Sequence, residues 1–177
     1  MLNAANLVTI ARIVIAPVFL WFLYAYYLPG ETIGWYLLAA FIAIAATDGI
    51  DGAIARRSNT VTKLGKLLDP IADKVLLGGT FIVLSMLNVM PWWATIAILI
   101  REVGMTVYRL IVVRDKVIPA SSTGKLKTVF QAIALGWVIS PLNLMMFNPD
   151  FDIGFGLIYG AVFLTWYSAI KYIRESR

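Results

Sequence analysis

Four aspartates fall within one short stretch of an otherwise very apolar protein, at Asp48, Asp51, Asp69 and Asp73. The first two are three residues apart and the second two are four apart. On a helix, each spacing projects both carboxylates from one face. Carboxylates gathered this way repel one another and lose hydration, so a cation must hold them. The sequence contains no histidine and no cysteine. Imidazole bases, thiolate metal sites, disulfides and cysteine nucleophiles are therefore excluded, and carboxylates remain as proton acceptors and ligands. An all-oxygen donor set selects Mg²⁺, Mn²⁺ or Ca²⁺ over zinc or copper. Three or four carboxylates exceed what one Mg²⁺ usually takes from protein, which points to two ions and a phosphate-bearing substrate. A plainer alternative stands beside this one: acids at helix ends, paired with Arg56, Arg57, Lys63, Lys66 and Lys74.

The elements that must carry these residues are membrane helices. The chain has 177 residues, of which 60% are hydrophobic and only 14% charged. Its mean hydropathy is +0.82. Soluble domains carry nearly twice that share of charge. Residues 1–177 suffice for one helical bundle, with no room for a second domain. The net charge of +5 is read as cytoplasmic loops facing anionic headgroups, and nucleic acid is not expected as a partner. Arg12 sits inside the first apolar run, which continues to Leu28 without a small-residue cleavage site. The run is read as a retained span and not as a cleaved signal.

Crossing the hydrocarbon takes about 20 apolar residues. Six stretches meet this length, at roughly 6–28, 33–56, 67–89, 92–114, 124–147 and 153–173 by that rule. Turn residues separate them: Pro29-Gly30, Pro91, and Asn148-Pro149-Asp150. The connections at 28–33, 89–92 and 148–152 contain no Lys or Arg. Those at 56–66 and 114–127 carry Arg56, Arg57, Lys63, Lys66, Arg114, Lys116, Lys125 and Lys127, and the tail carries Lys171, Arg174 and Arg177. Positive charge stays inside, so both termini and both basic connections are expected in the cytoplasm. The expected fold is an all-α membrane protein with six transmembrane helices. Its acidic cluster would sit at the cytoplasmic mouth, where the second and third helices run antiparallel with their aspartates facing each other. Trp35, Trp92 and Trp93 fall near the expected outer ends, either as interfacial aromatics or as bulky lipid-facing residues. No internal repeat, Walker loop or dinucleotide fingerprint is present.

Asp48-x-x-Asp51-Gly52-x-x-Ala55-Arg56, eight residues, then Gly65-x-x-x-Asp69-x-x-x-Asp73 resembles the signature of the CDP-alcohol phosphotransferase family. All eight signature positions match in residue and spacing, and the family's six-helix core extends over essentially the whole chain. The resemblance implies a metal-dependent transferase that moves the phosphatidyl-type group of a CDP-linked donor to an alcohol and releases CMP. It further implies that Asp48, Asp51, Asp69 and Asp73 bind two Mg²⁺ or Mn²⁺ ions, with Asp73 also serving as the catalytic base. Gly52 and Arg56 would contact the CDP moiety, with Thr62 and the Asn6–Thr9 stretch near the nucleotide. A homodimer in a bacterial-type inner or plasma membrane is implied as well. The chemistry suits the site, because phosphoryl transfer depends mainly on positioning and on neutralising charge at the attacking and leaving oxygens.

A second region bears on the acceptor. Arg101 and Arg109 are eight residues apart on one stretch, about two helical turns, and so share a face. A hydroxyl-rich turn, Ser121-Ser122-Thr123-Gly124-Lys125-Leu126-Lys127-Thr128, follows. Arg and Lys converging with hydroxyls would bind phosphate, so the expected acceptor carries its own. Glu102 and the aspartates offer Arg101 structural partners instead. The Arg-Glu-Val stretch, the Gly-Lys-x-Lys-Thr turn and Gln131 most resemble the branch of the family that uses sn-glycerol 3-phosphate. That resemblance implies CDP-diacylglycerol as donor and phosphatidylglycerophosphate as product, in phospholipid biosynthesis. Arg101, Arg109, Lys125 and Lys127 are the candidates for the acceptor phosphate. Within the family the alternatives are a phosphatidylinositol-phosphate synthase or a cardiolipin synthase. From another class, a divalent-cation transporter would need polar groups through the outer halves of the second and third spans. Those halves are almost wholly apolar.

Overall fold

The computed structural model describes residues 4–57, 63–112, 122–145 and 153–175. Within them the protein is all-helical: α1 (Ala4–Tyr26), α2 (Ile33–Arg57), α3 (Lys63–Met86), α4 (Trp92–Val112), α5 (Ser122–Ile139), the short α6 (Leu142–Met145) and α7 (Ile153–Glu175). The six long helices coincide with the six apolar stretches. Their boundaries follow local chemistry.

After α1, Gly30 takes a positive φ of 79°, which a side chain would resist. The Glu31 amide bonds the Leu28 carbonyl at 3.2 Å to close that turn. After α3, Asn88 is left-handed at φ 58°. The Val89 amide bonds the Leu84 carbonyl at 3.0 Å and the Asn88 amide bonds that of Ser85 at 3.1 Å. These two bonds form a Schellman cap, so α3 is ended by Asn88 before Pro91 is reached.

Two boundaries differ from expectation. The third helix begins at Lys63, so Lys63 and Lys66 are helical and not part of the loop; the length rule follows hydrocarbon, whereas lysines extend a helix beyond it. The stretch at 124–147 is broken after Ile139. Pro141 has no amide to continue the ladder, and the Ser140 hydroxyl caps the end by donating to the Trp137 carbonyl at 2.8 Å. Asn148, Pro149 and Asp150 lie outside the described residues.

α1 packs along α3 and α2, α5 packs on α7 and α2, and α4 on α7 and α3. The core between them is built from Phe19, Leu23, Phe41, Phe81, Leu84, Leu135 and Ile139. A second small cluster joins Met105 of α4 to Ala169 and Tyr172 of α7. The Tyr27 hydroxyl, just past α1, donates to the Val138 carbonyl at 2.7 Å and ties the end of α1 to α5.

Polarity is arranged opposite to that of a water-soluble bundle. Thr80, Ser85, Thr95 and Thr165 are fully buried, while Phe163 is 68% exposed and Tyr36 is 70% exposed. Small polar residues between helices and large apolar ones outside match a lipid-facing surface. By length and composition, Thr9–Tyr26 of α1 and Ile153–Glu175 of α7 are long and apolar enough to cross a membrane. Ile33–Thr47, Lys74–Met86 and Leu126–Ile139 are shorter apolar helical segments. Trp35, Trp92 and Trp93 are exposed in the first turns of α2 and α4.

Candidate active site

Both aspartate pairs are helical. Asp48 and Asp51 stand in the second half of α2 with Gly52 and Arg56, and Asp69 and Asp73 stand in the first half of α3. The i, i+3 and i, i+4 spacings therefore place each pair on one helix face. Thr62 lies outside the described residues. The side chains of the four aspartates, Arg56, Asn6, Arg109 and Lys125 do as well, although their helical positions are described.

The first half of α1 sets a buried cation, Arg12, one turn beyond the Asn6–Thr9 stretch expected near the nucleotide. Thr9 and Arg12 are both buried, at 2% exposure. Arg12 Nε donates to Thr47 Oγ1 at 3.1 Å, and that hydroxyl donates to the Ile44 carbonyl at 2.6 Å. Thr47 immediately precedes Asp48, so a buried guanidinium is held at the head of the acidic segment. The signal was available: an arginine inside an apolar run is costly and is retained for a partner.

On the other side of α3, Lys74 follows Asp73 and its Nζ donates to Thr106 Oγ1 on α4. Thr106 Oγ1 in turn donates to the Glu102 carbonyl at 2.8 Å. Glu102 Oε1 accepts from Arg101 Nη1 at 2.9 Å and also from Lys127 Nζ on α5. Arg101 Nη2 reaches α7, donating to Ser168 Oγ at 2.6 Å, and Ser168 donates to the Thr165 carbonyl at 3.0 Å. Gln131 Nε2 donates to Thr165 Oγ1 at 2.7 Å. Two of the four residues expected to bind acceptor phosphate, Arg101 and Lys127, are thus brought together from different helices. Glu102 takes the place the sequence offered it, as a structural partner of Arg101, whereas Thr165 and Ser168 had no expected role here. Hydroxyls on the inward stripe of apolar α7 were the available sign, since polar groups inside a membrane bundle seek one another.

An apolar cleft of about 430 Å³ lies between α2 and α5. Phe41, Ala45 and Ala46 line it from α2, and Ala132, Ile133 and Gly136 from α5. Ala46 is two residues before Asp48, about 3 Å of helical rise.

A hard divalent ion fits the acidic segment by donor chemistry: four carboxylates in paired helical spacing, in a chain with no histidine or cysteine. The helices and the complete signature they carry define a transferase of CDP-linked alcohols. The family model for CDP-alcohol phosphatidyltransferases matches residues 2–167, and the chain belongs to that family.

Among its relatives, the protein of Mycobacterium tuberculosis named "Probable phosphatidylglycerophosphate synthase" is 41% identical over 177 residues, covering 98% of this chain and 81% of the relative. The Bacillus subtilis CDP-diacylglycerol–glycerol-3-phosphate 3-phosphatidyltransferase is 35% identical, over 99% of this chain and 96% of its own length. The Escherichia coli K12 protein of the same name is 30% identical, over 99% and 95% respectively.

Proposed function

We propose that the protein transfers phosphatidyl from CDP-diacylglycerol to sn-glycerol 3-phosphate, forming phosphatidylglycerophosphate and CMP. The observation that carries the acceptor is the Arg101–Glu102–Lys127 group, which gathers two buried cations and is linked through Thr106 and Lys74 to the helix bearing Asp73. The names of relatives that align along nearly all of this chain support the same acceptor.

In this reaction the acceptor hydroxyl attacks the phosphatidyl phosphorus, its proton passes to the Asp73 carboxylate, and the bond to the CMP oxygen breaks. Asp48, Asp51, Asp69 and Asp73 would hold two Mg²⁺ or Mn²⁺ ions, which when bound neutralise the pyrophosphate and the departing CMP. Gly52 leaves room for the nucleotide, and Arg56, with Asn6, Thr9 and Thr62, contacts it. Arg101 and Lys127, with Arg109 and Lys125, take the acceptor phosphate. The donor's acyl chains remain in lipid, and the cleft beside α2 seats one of them next to Asp48.

All six long helices span the membrane, with both termini and the acidic site at the cytoplasmic face of a bacterial-type inner membrane, and the protein is a homodimer. The charge bias of the connections supports this orientation. Purified protein incubated with CDP-diacylglycerol, Mg²⁺ and a panel of alcohols tests the reaction. CMP release with glycerol 3-phosphate is expected; release with inositol phosphate alone would overturn the acceptor.

A further inference from the structure

Nothing in the signature gives a role to Glu102, yet it stands at the centre of a polar network: side chains of α4 and α5 bond it directly, and those of α3 and α7 join through Thr106 and Arg101. Its Oε1 receives both Arg101 and Lys127, and its own carbonyl receives Thr106, which receives Lys74. Arg101 and Lys127 have side chains only 7% and 9% exposed, whereas that of Glu102 is 21% exposed. Two cations this close repel in a low-dielectric interior and swing apart unless an anion is shared between them. Ser168 gives Arg101 a second hold, and Thr165 fixes Ser168.

We propose that Glu102 is a positioning residue: it presents Arg101 and Lys127 as a pre-paired clamp for the acceptor's phosphate, in register with Asp73 through Thr106 and Lys74. The inference rests on the proposed function. Glu102 has two opposing effects on phosphate binding. Its charge offsets one cation, which weakens attraction, and its geometry spares the acceptor the ordering of two long side chains, which strengthens it. Geometry wins here, because the clamp is buried and bound to one oxygen.

The test compares full-length wild type, Glu102→Gln and Glu102→Asp in detergent micelles. CMP release is followed while glycerol 3-phosphate and CDP-diacylglycerol are varied separately. Glu102→Gln is expected to raise the KM for glycerol 3-phosphate by about tenfold or more, with the KM for CDP-diacylglycerol within twofold of wild type. Glu102→Asp, which keeps the charge on a shorter arm, recovers part of that loss. A merely structural role predicts a lower Tm and lower kcat with the acceptor KM unmoved, and that result overturns the inference. A lowered acceptor KM, or an equal rise in both KM values, also overturns it. If Glu102→Gln does not fold, Ser168→Ala takes its place. It removes the second hold on Arg101 and is expected to raise the acceptor KM about threefold, with no change counting against the inference. Wild type that releases no CMP with glycerol 3-phosphate overturns the proposed function and this inference with it. An active wild type with an unmoved variant overturns the inference alone.

Discussion

At the scale of single residues, the chain separates charge for chemistry from charge for support. Asp73→Asn keeps the side chain's size and removes its ability to accept a proton. Turnover is expected to fall by about 10²-fold or more, the usual worth of a general base. Binding of the CDP-linked donor, measured by calorimetry with a non-reacting analogue, should remain largely intact. Arg12→Met tests support. It deletes a charged hydrogen bond to Thr47, worth about 1.5–3 kcal/mol, and a lower Tm in a thermal shift assay is expected. Thr47→Val should move Tm in the same direction by less. The acids of the candidate site were readable in the sequence because spacing alone defines a helical face. Glu102 was legible only as an adjacent partner of Arg101. Its bond to Lys127 and the bond of Arg101 to Ser168 depend on which helices become neighbours, and sequence separations of 25 and 67 residues carry no periodic signal.

At the scale of elements, helix crossings depend on a few close approaches. A Cβ placed on Gly34 of α2 would sit 2.8 Å from the Ile139 carbonyl and 3.0 Å from Pro141. That neighbour is backbone and cannot rotate away, so Gly34→Val should force α2 from α5 and lower Tm by several degrees. Gly104 of α4 has open space around its Cβ position. Gly104→Ala should therefore show only the helix-propensity gain of about 0.5–1 kcal/mol, read as a small rise in Tm. Element positions were legible from hydropathy, because lipid demands long apolar runs. Their ends were less so. Lys63 and Lys66 extend α3 beyond the apolar stretch, and Pro141 breaks a run that composition alone reads as continuous.

At the scale of the molecule, large aromatics face outward while a few buried hydroxyls lie among an apolar core. The cleft between α2 and α5 is lined almost wholly by apolar groups, as an acyl chain would require. Ala45→Trp, which fills it, should raise the KM for long-chain CDP-diacylglycerol well above any effect on a short-chain donor, by about fivefold or more if one acyl chain is displaced.

The polar chain through Glu102 also has a consequence in time. Arg101, Glu102 and Lys127 belong to α4 and α5, but the Ser168 hydroxyl that holds Arg101 and the Thr165 carbonyl that holds Ser168 belong to α7. A ribosome delivers the charges before it delivers their partners. Until α7 docks, the nascent bundle carries a half-solvated ion group that favours staying open to water. Docking of the last helix is therefore expected to be the closing step, completing the proposed phosphate clamp and the fold in one event.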